Sequence, residues 1–135
     1  MLTKAEIVVG AVAIMDGEVL VADKNVQCSN DHGFIGERPF VCVKVDGDSS
    51  VWMLLTATYS KHRLLVNTWK DGGSNGWKSS PTYLNDARKP FAGPSASFIA
   101  ASSVEINFTH HIRPFIKQPG VGEIIKEIKK YDPGF

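Results

Sequence analysis

Pro39-Phe40-Val41-Cys42-Val43-Lys44-Val45, Asp46-Gly47-Asp48-Ser49-Ser50 and Val51-Trp52-Met53-Leu54-Leu55-Thr56-Ala57-Thr58-Tyr59 form the stretch that decides the fold. The first seven residues alternate and are rich in β-branched side chains, which predicts a strand. The Asp/Gly/Ser cluster turns the chain. Val51 to Tyr59 is strongly apolar and predicts a central strand paired with the one before it.

Working upstream, Ile7 to Ile14 reads as another strand. Asp16-Gly17 is a tight-turn signal, so Val19 to Ala22 is expected as the returning arm of a hairpin. Lys24 to Glu37 is rich in Asn, Asp, Ser and Gly and reads as loop. Downstream, Leu64 to Trp69 reads as a further strand. Residues 70–94, with Gly72-Gly73, Gly76, Pro81, Pro90 and Gly93-Pro94, are expected to form a long loop, or a short helix plus loop. Ala96 to Phe108 is expected to return as a β segment with a bend at Ser102-Ser103. Only the end looks helical. From Gly122-Glu123 onward, Ile124, Ile125 and Ile128 share one side, and Asp132-Pro133-Gly134 stops the helix. Many strands followed by one helix predict an α+β domain built on a curled antiparallel sheet.

The chain has 135 residues, one domain's worth, 1–135, and enough to bury a core without staples. No run approaches the ~20 apolar residues of a membrane helix. Ile7 to Met15 is short, lacks a basic flank and ends in Asp16-Gly17, unlike a signal peptide. Cys28 and Cys42 are too few for a disulfide framework, which favours reduced thiols and a cytoplasmic setting. Net charge is +1, but residues 1–60 sum to −4 and residues 61–89 to +4. The basic middle is either a solvated loop or a surface that faces a polyanion.

No phosphate loop, dinucleotide fingerprint or CxxC pair is present. His110-His111 is the one tight histidine pair. Neighbours on a strand point to opposite faces, so regular β structure would not let both bind one metal. No metal or cofactor is expected.

The segment His32-Gly33-Phe34-Ile35-Gly36-Glu37-Arg38-Pro39 delivers an arginine from a polar loop onto the first residues of a strand. In an antiparallel pair the start of one strand lies beside the end of the next. Arg38 and Thr56 are therefore expected at one rim, with His32 hanging over them. Cleavage of RNA needs a base for the 2′-hydroxyl, a cation for charge growing on phosphorus, and a donor. His, Arg and Thr supply these. Taken singly, Arg38 reads as well as the partner of Glu37 or Asp31, and Thr56 as an ordinary strand residue.

His32…Gly36-Glu37-Arg38-Pro39-Phe40-Val41 resembles the loop-to-strand signature of the MazF/PemK (Kid-like) toxins. Leu54-Leu55-Thr56-Ala57 is similar to the family's next strand. Gly93 to Ile106 and Gly122 to Tyr131 are similar to its later strand and C-terminal helix. The resemblance implies an SH3-like, Kid/CcdB-like antiparallel β-barrel with a C-terminal helix, acting as a homodimer. It implies a metal-independent endoribonuclease that cuts single-stranded RNA to 2′,3′-cyclic phosphate and 5′-hydroxyl ends. A cognate antitoxin, protein or RNA, would cover the groove. Arg38 and Thr56 would be the catalytic pair, with His32 as acid or base. The Val19–Ala22 arm and the 70–94 insertion are additions to the short members' pattern.

Tyr59, Lys61, His62, Arg63, Trp69, Trp77, Lys78 and Tyr83 interleave rings with cations, the composition that holds single strands by stacking and phosphate contacts. Lys61 and Arg63 are the leading phosphate candidates, joined by Thr58, Tyr59, Trp77 and Lys78. The tryptophans read equally as anchors for a long loop. Two other functions suit the same reading: a noncatalytic SH3-like barrel that binds RNA or protein, and a gyrase-directed CcdB-like toxin.

Overall fold

The hairpin at Pro39–Tyr59 is the centre of the sheet. Strand β2 runs Glu37–Asp46 and β3 runs Ser49–Thr56, joined by Gly47-Asp48. Gly47 has φ +58 at the first central position of this two-residue turn, where a hairpin favours glycine. The computed structural model describes residues 1–103 and 113–135. His110-His111 and the last residues of the Ala96–Phe108 segment lie outside the described residues.

Strand β1 (Val12–Asp16) pairs antiparallel with β2. On the far side of β3 lie β5 (Tyr83–Leu84) and β6 (Phe91–Pro94), completing a five-stranded antiparallel sheet. A second, two-stranded sheet pairs β4 (Lys70–Asp71) with β7 (Phe115–Ile116). Among the described residues the continuous ladders form these two sheets and no closed barrel.

The central sheet is covered on both faces. Ala13, Met15, Phe40, Cys42, Trp52 and Leu54 join one core cluster with Leu20, Phe98 and Ala101. Val12, Val41, Val43, Met53 and Leu55 join another with Val121, Ile124 and Ile128. This two-sided burial explains the unbroken apolar run of β3, where a half-exposed strand would alternate with polar residues. The fully buried Trp52 donates its Nε1–H to Ser50 Oγ at 2.9 Å, and Ser50 Oγ lies 3.1 Å from Ser95 Oγ.

Two segments expected as β are helical. Gly17–Ala22 is α1, not a hairpin arm. The Asp16 carboxylate accepts from the Glu18 N–H, so Asp-Gly acts here as a helix cap and not as a turn. Leu20 is buried while Val19 and Val21 are exposed, the one-sided burial of a helix. The 95–101 stretch, expected within a β segment from Ala96, is α3 (Ser95–Ala101). Ser95, Phe98 and Ala101 face the core at helical spacing, and the alanines favour helix.

Smaller corrections follow the same logic. The strand expected over Ile7–Ile14 starts only at Val12, because Gly10 turns at φ +96. A Cβ there would meet the Ile116 carbonyl at 2.5 Å. The strand expected over Leu64–Trp69 is reduced to a bridge between Leu65 and Tyr83, followed by a 3-10 turn at Asn67–Trp69. Asn67 diverts the ladder: its side chain accepts from the Thr82 N–H and donates to the Ser80 carbonyl. The 70–94 stretch holds a short helix, α2 (Asn75–Ser79), and also contributes β4, β5 and β6.

The C-terminal helix, α4 (Gln118–Lys129), begins four residues before the expected Gly122. Pro119 sits in its first turn, a position proline suits. Gly120 is required by packing, since a Cβ would lie 2.5 Å from Trp69 Cβ. No helix among the described residues is long and apolar enough to cross a membrane.

Candidate functional site

β2 and β3 set the geometry of the rim. The β2–β3 pairing ends at Phe40 and Leu54, and Arg38 and Thr56 each stand two residues beyond that last pair on their strands. Side chains alternate along a strand. Arg38 and Thr56 therefore project from the face that buries Phe40 and Leu54, just past the end of that core. Arg38, Thr56 and His32 line one open depression of about 240 Å³, together with Phe34, Ile35, Leu54, Leu55, Thr58, Arg63 and Asn85.

Arg38 is exposed, and its Nη1 donates only to the neighbouring Glu37 carbonyl, 2.9 Å away. The carboxylates expected to compete for it are engaged elsewhere. Asp31 pairs with Lys89 at 3.1 Å, and Glu37 accepts from the Ser103 hydroxyl at 3.0 Å. Thr56 Oγ1 accepts from the Thr58 N–H at 3.2 Å, which leaves its own O–H to donate. Arg38 and Thr56 do not hydrogen-bond each other.

His32 stacks on Phe91, ring centroids 4.8 Å apart. Its Nε2 is buried and has no hydrogen-bond partner. Burial pushes its pKa below the ordinary histidine value, and the Lys89 ammonium pushes the same way, against Asp31 and Asp86. The ring is therefore neutral at pH 7, able to accept a proton and unable to serve as a standing acid.

The other expected contacts separate into two groups. Thr58 and Arg63 belong to the depression. Arg63 is also a fastener, donating from Nε to the Asn85 carbonyl and from Nη1 to the Thr58 carbonyl. Tyr59 is 70% exposed and packs edge-on against Tyr83, the residue paired with Thr56. Lys61 is exposed on the next turn. Trp77 is not brought to this rim. It lines a separate apolar depression with Val12, Ile14, Pro39 and Pro114, and the exposed Lys78 follows it on α2.

Some residues of the rim carried no motif. Phe34 is 83% exposed and lines the depression, and Asn85 lines it from the loop after β5. Arg63 and Asn85 also border a second depression, about 480 Å³, lined by His62, Arg88, Glu127 and Tyr131. The signal for Phe34 was available, an aromatic between two glycines in a polar loop. Tyr131 reaches the second depression only through the placement of α4.

Among the described residues no group of three His, Cys, Asp or Glu side chains is placed to hold a metal ion. The chemistry of the depression is that of two permanent cations, two hydroxyls, a neutral imidazole and an exposed ring, a set suited to a phosphodiester and a base. No family model, curated protein or solved structure matches this chain.

Proposed function

We propose that the protein is an endoribonuclease toxin of the MazF/PemK type, cutting single-stranded RNA without a metal. The observation that carries this reading is the shared depression of Arg38, Thr56 and His32, with a guanidinium that no carboxylate among the described residues neutralises. In the proposed reaction neutral His32 takes the proton of the 2′-hydroxyl. The 2′-oxygen then forms a bond to phosphorus, and the bond to the 5′-oxygen breaks. The departing oxygen takes a proton from water at the open rim, leaving a 2′,3′-cyclic phosphate and a 5′-hydroxyl. Arg38 stabilises the charge that gathers on the phosphoryl oxygens, and Thr56 donates to one of them.

The finer fold proposed is a small barrel of SH3-like, Kid/CcdB-like type. A ring of neighbours supports it. Strands β1, β2, β3 and β5 lie side by side, and Tyr83 of β5 bridges to Leu65. The chain continues from Leu65 to β4, β4 pairs with β7, and Phe115 of β7 bridges back to Ala11 beside β1. The proposal includes action in the cytoplasm as a homodimer and a cognate antitoxin, protein or RNA, that covers the Arg38 rim.

The test is incubation of the purified protein with mixed RNA in EDTA. Cleavage by the wild type that disappears in Arg38→Ala is the expected result, and intact RNA with the wild type sinks the proposal. One observation favours the noncatalytic alternative: Nε2 of His32 is sealed from solvent, so a substrate proton can be taken only at Nδ1. Intact RNA combined with tight, Arg38-dependent binding would select that reading.

A further inference from the structure

We infer that Phe34 is a stacking platform for an unpaired base beside the phosphate held at Arg38, an inference that rests on the nuclease reading above. A phenylalanine ring left in water is unfavourable, because its apolar surface is what folding normally removes from solvent. Phe34 is nevertheless 83% exposed, more than any other large apolar side chain among the described residues.

The loop that carries the ring is built, not slack. Ile35, the next residue, is a plug, 4% exposed and packed into the core. Its N–H donates to the Glu18 carboxylate at 2.7 Å, and the Gly36 carbonyl accepts from the Gly17 N–H at 2.8 Å. Gly17 must lack a side chain, since a Cβ would lie 2.3 Å from Ile35 Cγ2. Gly33 and Gly36, at φ +68 and +69, turn the chain out before Phe34 and back after Ile35. A Cβ on Gly36 would come within 3.1 Å of the Phe34 ring, so that glycine also gives the ring its seat. Alternation about a buried plug thus holds Phe34 outward at a fixed place.

Its surroundings select the ligand. The ring shares its depression with the Arg38 guanidinium, the Thr56 and Thr58 side chains and Asn85. A protein partner needs a continuous apolar patch at the centre of its footprint. Here one ring stands among cations and hydroxyls, which suits a base on the ring and a phosphate on the guanidinium. Bases inside a duplex already have both faces stacked, so the platform favours single strands.

The test uses the full chain and a short mixed-sequence 2′-fluoro RNA, which lacks the attacking hydroxyl and is not cut. Binding is followed by fluorescence anisotropy, for the single strand and for its duplex. Phe34→Ala should weaken single-strand binding by about 5- to 150-fold, the span of one lost base–aromatic stack. Phe34→Tyr, which keeps a ring, should stay within about twofold, and the preference for single strand over duplex should shrink only in the alanine variant. Unchanged binding by Phe34→Ala, alongside RNA cleavage that still depends on Arg38, overturns the platform and leaves the nuclease standing. A wild-type protein that neither binds the single strand nor cuts RNA overturns both.

Discussion

Arg38 and Lys70 are two cations of one chain put to opposite uses. Lys70 lies at the base of the 70–82 excursion, 9% exposed. Its ammonium donates to the Trp77 and Ser80 carbonyls, both at 2.6 Å, and to Thr82 Oγ1 at 2.7 Å. It also lies 4.3 Å from the Trp77 ring centroid. All three N–H groups are used, and every partner belongs to the segment it holds. Arg38 carries five N–H groups and spends one on the carbonyl beside it. A cation saturated by its own chain is structure. A cation left unsaturated on an open rim is an offer to a ligand.

The sharpest way to break this comparison is to remove each cation. Arg38→Ala should lower RNA cleavage by on the order of a thousandfold, the scale of losing a preorganised charge at the reacting phosphate. Its melting temperature should stay within about a degree, because an exposed side chain without an ion pair holds nothing together. A large fall in melting temperature would make Arg38 structural and erase the contrast. Lys70→Met should do the reverse, costing about 2–4 kcal/mol by removing three charge-assisted hydrogen bonds and leaving the Trp77 carbonyl without its ammonium donor. Cleavage per folded molecule should survive, read from denaturant unfolding and from rates at low temperature. Burial alone pushes the Lys70 ammonium down to about 8, while its three acceptors hold the charge on. That balance makes an apolar replacement the informative one.

The rim was legible in the sequence because β2 and β3 are regular. Alternation and a short turn suffice to bring Arg38 and Thr56 to one rim. The helices α1 and α3 were less legible because their cues are double-edged. Asp16-Gly17 fits a hairpin turn as well as a helix cap, and only Ile35, pressed where a Gly17 Cβ would be, decides between them. Gly120 likewise concealed the first turn of α4, since glycine argues against helix until Trp69 is seen against it. Trp77 joined the aromatic-basic set by composition, but α2 turns it toward β1 and away from Arg38.

His32 sharpens the contrast through pH. Its folded pKa lies below its unfolded one, chiefly through burial. The folded state therefore binds fewer protons than the unfolded state in the window just below pH 6.5. The stability this histidine confers is complete above about pH 6.5 and is lost as the pH falls toward its lowered value. Cleavage should follow the same limb, flat near neutrality and falling in acid as the base is protonated. His32→Gln should slow cleavage and remove both the acid limb and that part of the stability slope. An acid limb that persists in the variant would assign it to another group.

The smallest effect separates two exposed lysines that composition treats alike. Lys61 follows the Thr56–Thr58 turn, two residues before Arg63 of the depression, whereas Lys78 lies on α2 next to Trp77, which lines the other depression. If the strand of RNA runs along the Arg38 rim, Lys61 meets a phosphate and Lys78 does not. Each phosphate contact on a single strand releases counterions and adds about 0.7 to the slope of log affinity against log salt. Lys61→Ala should lower that slope by about this amount, with cleavage at low salt changed only a few-fold. Lys78→Ala should leave the slope alone. Equal slopes for the two variants would move the RNA path off this rim, whatever the cleavage rates showed. The salt dependence thus tests where the polymer lies, separately from whether it is cut.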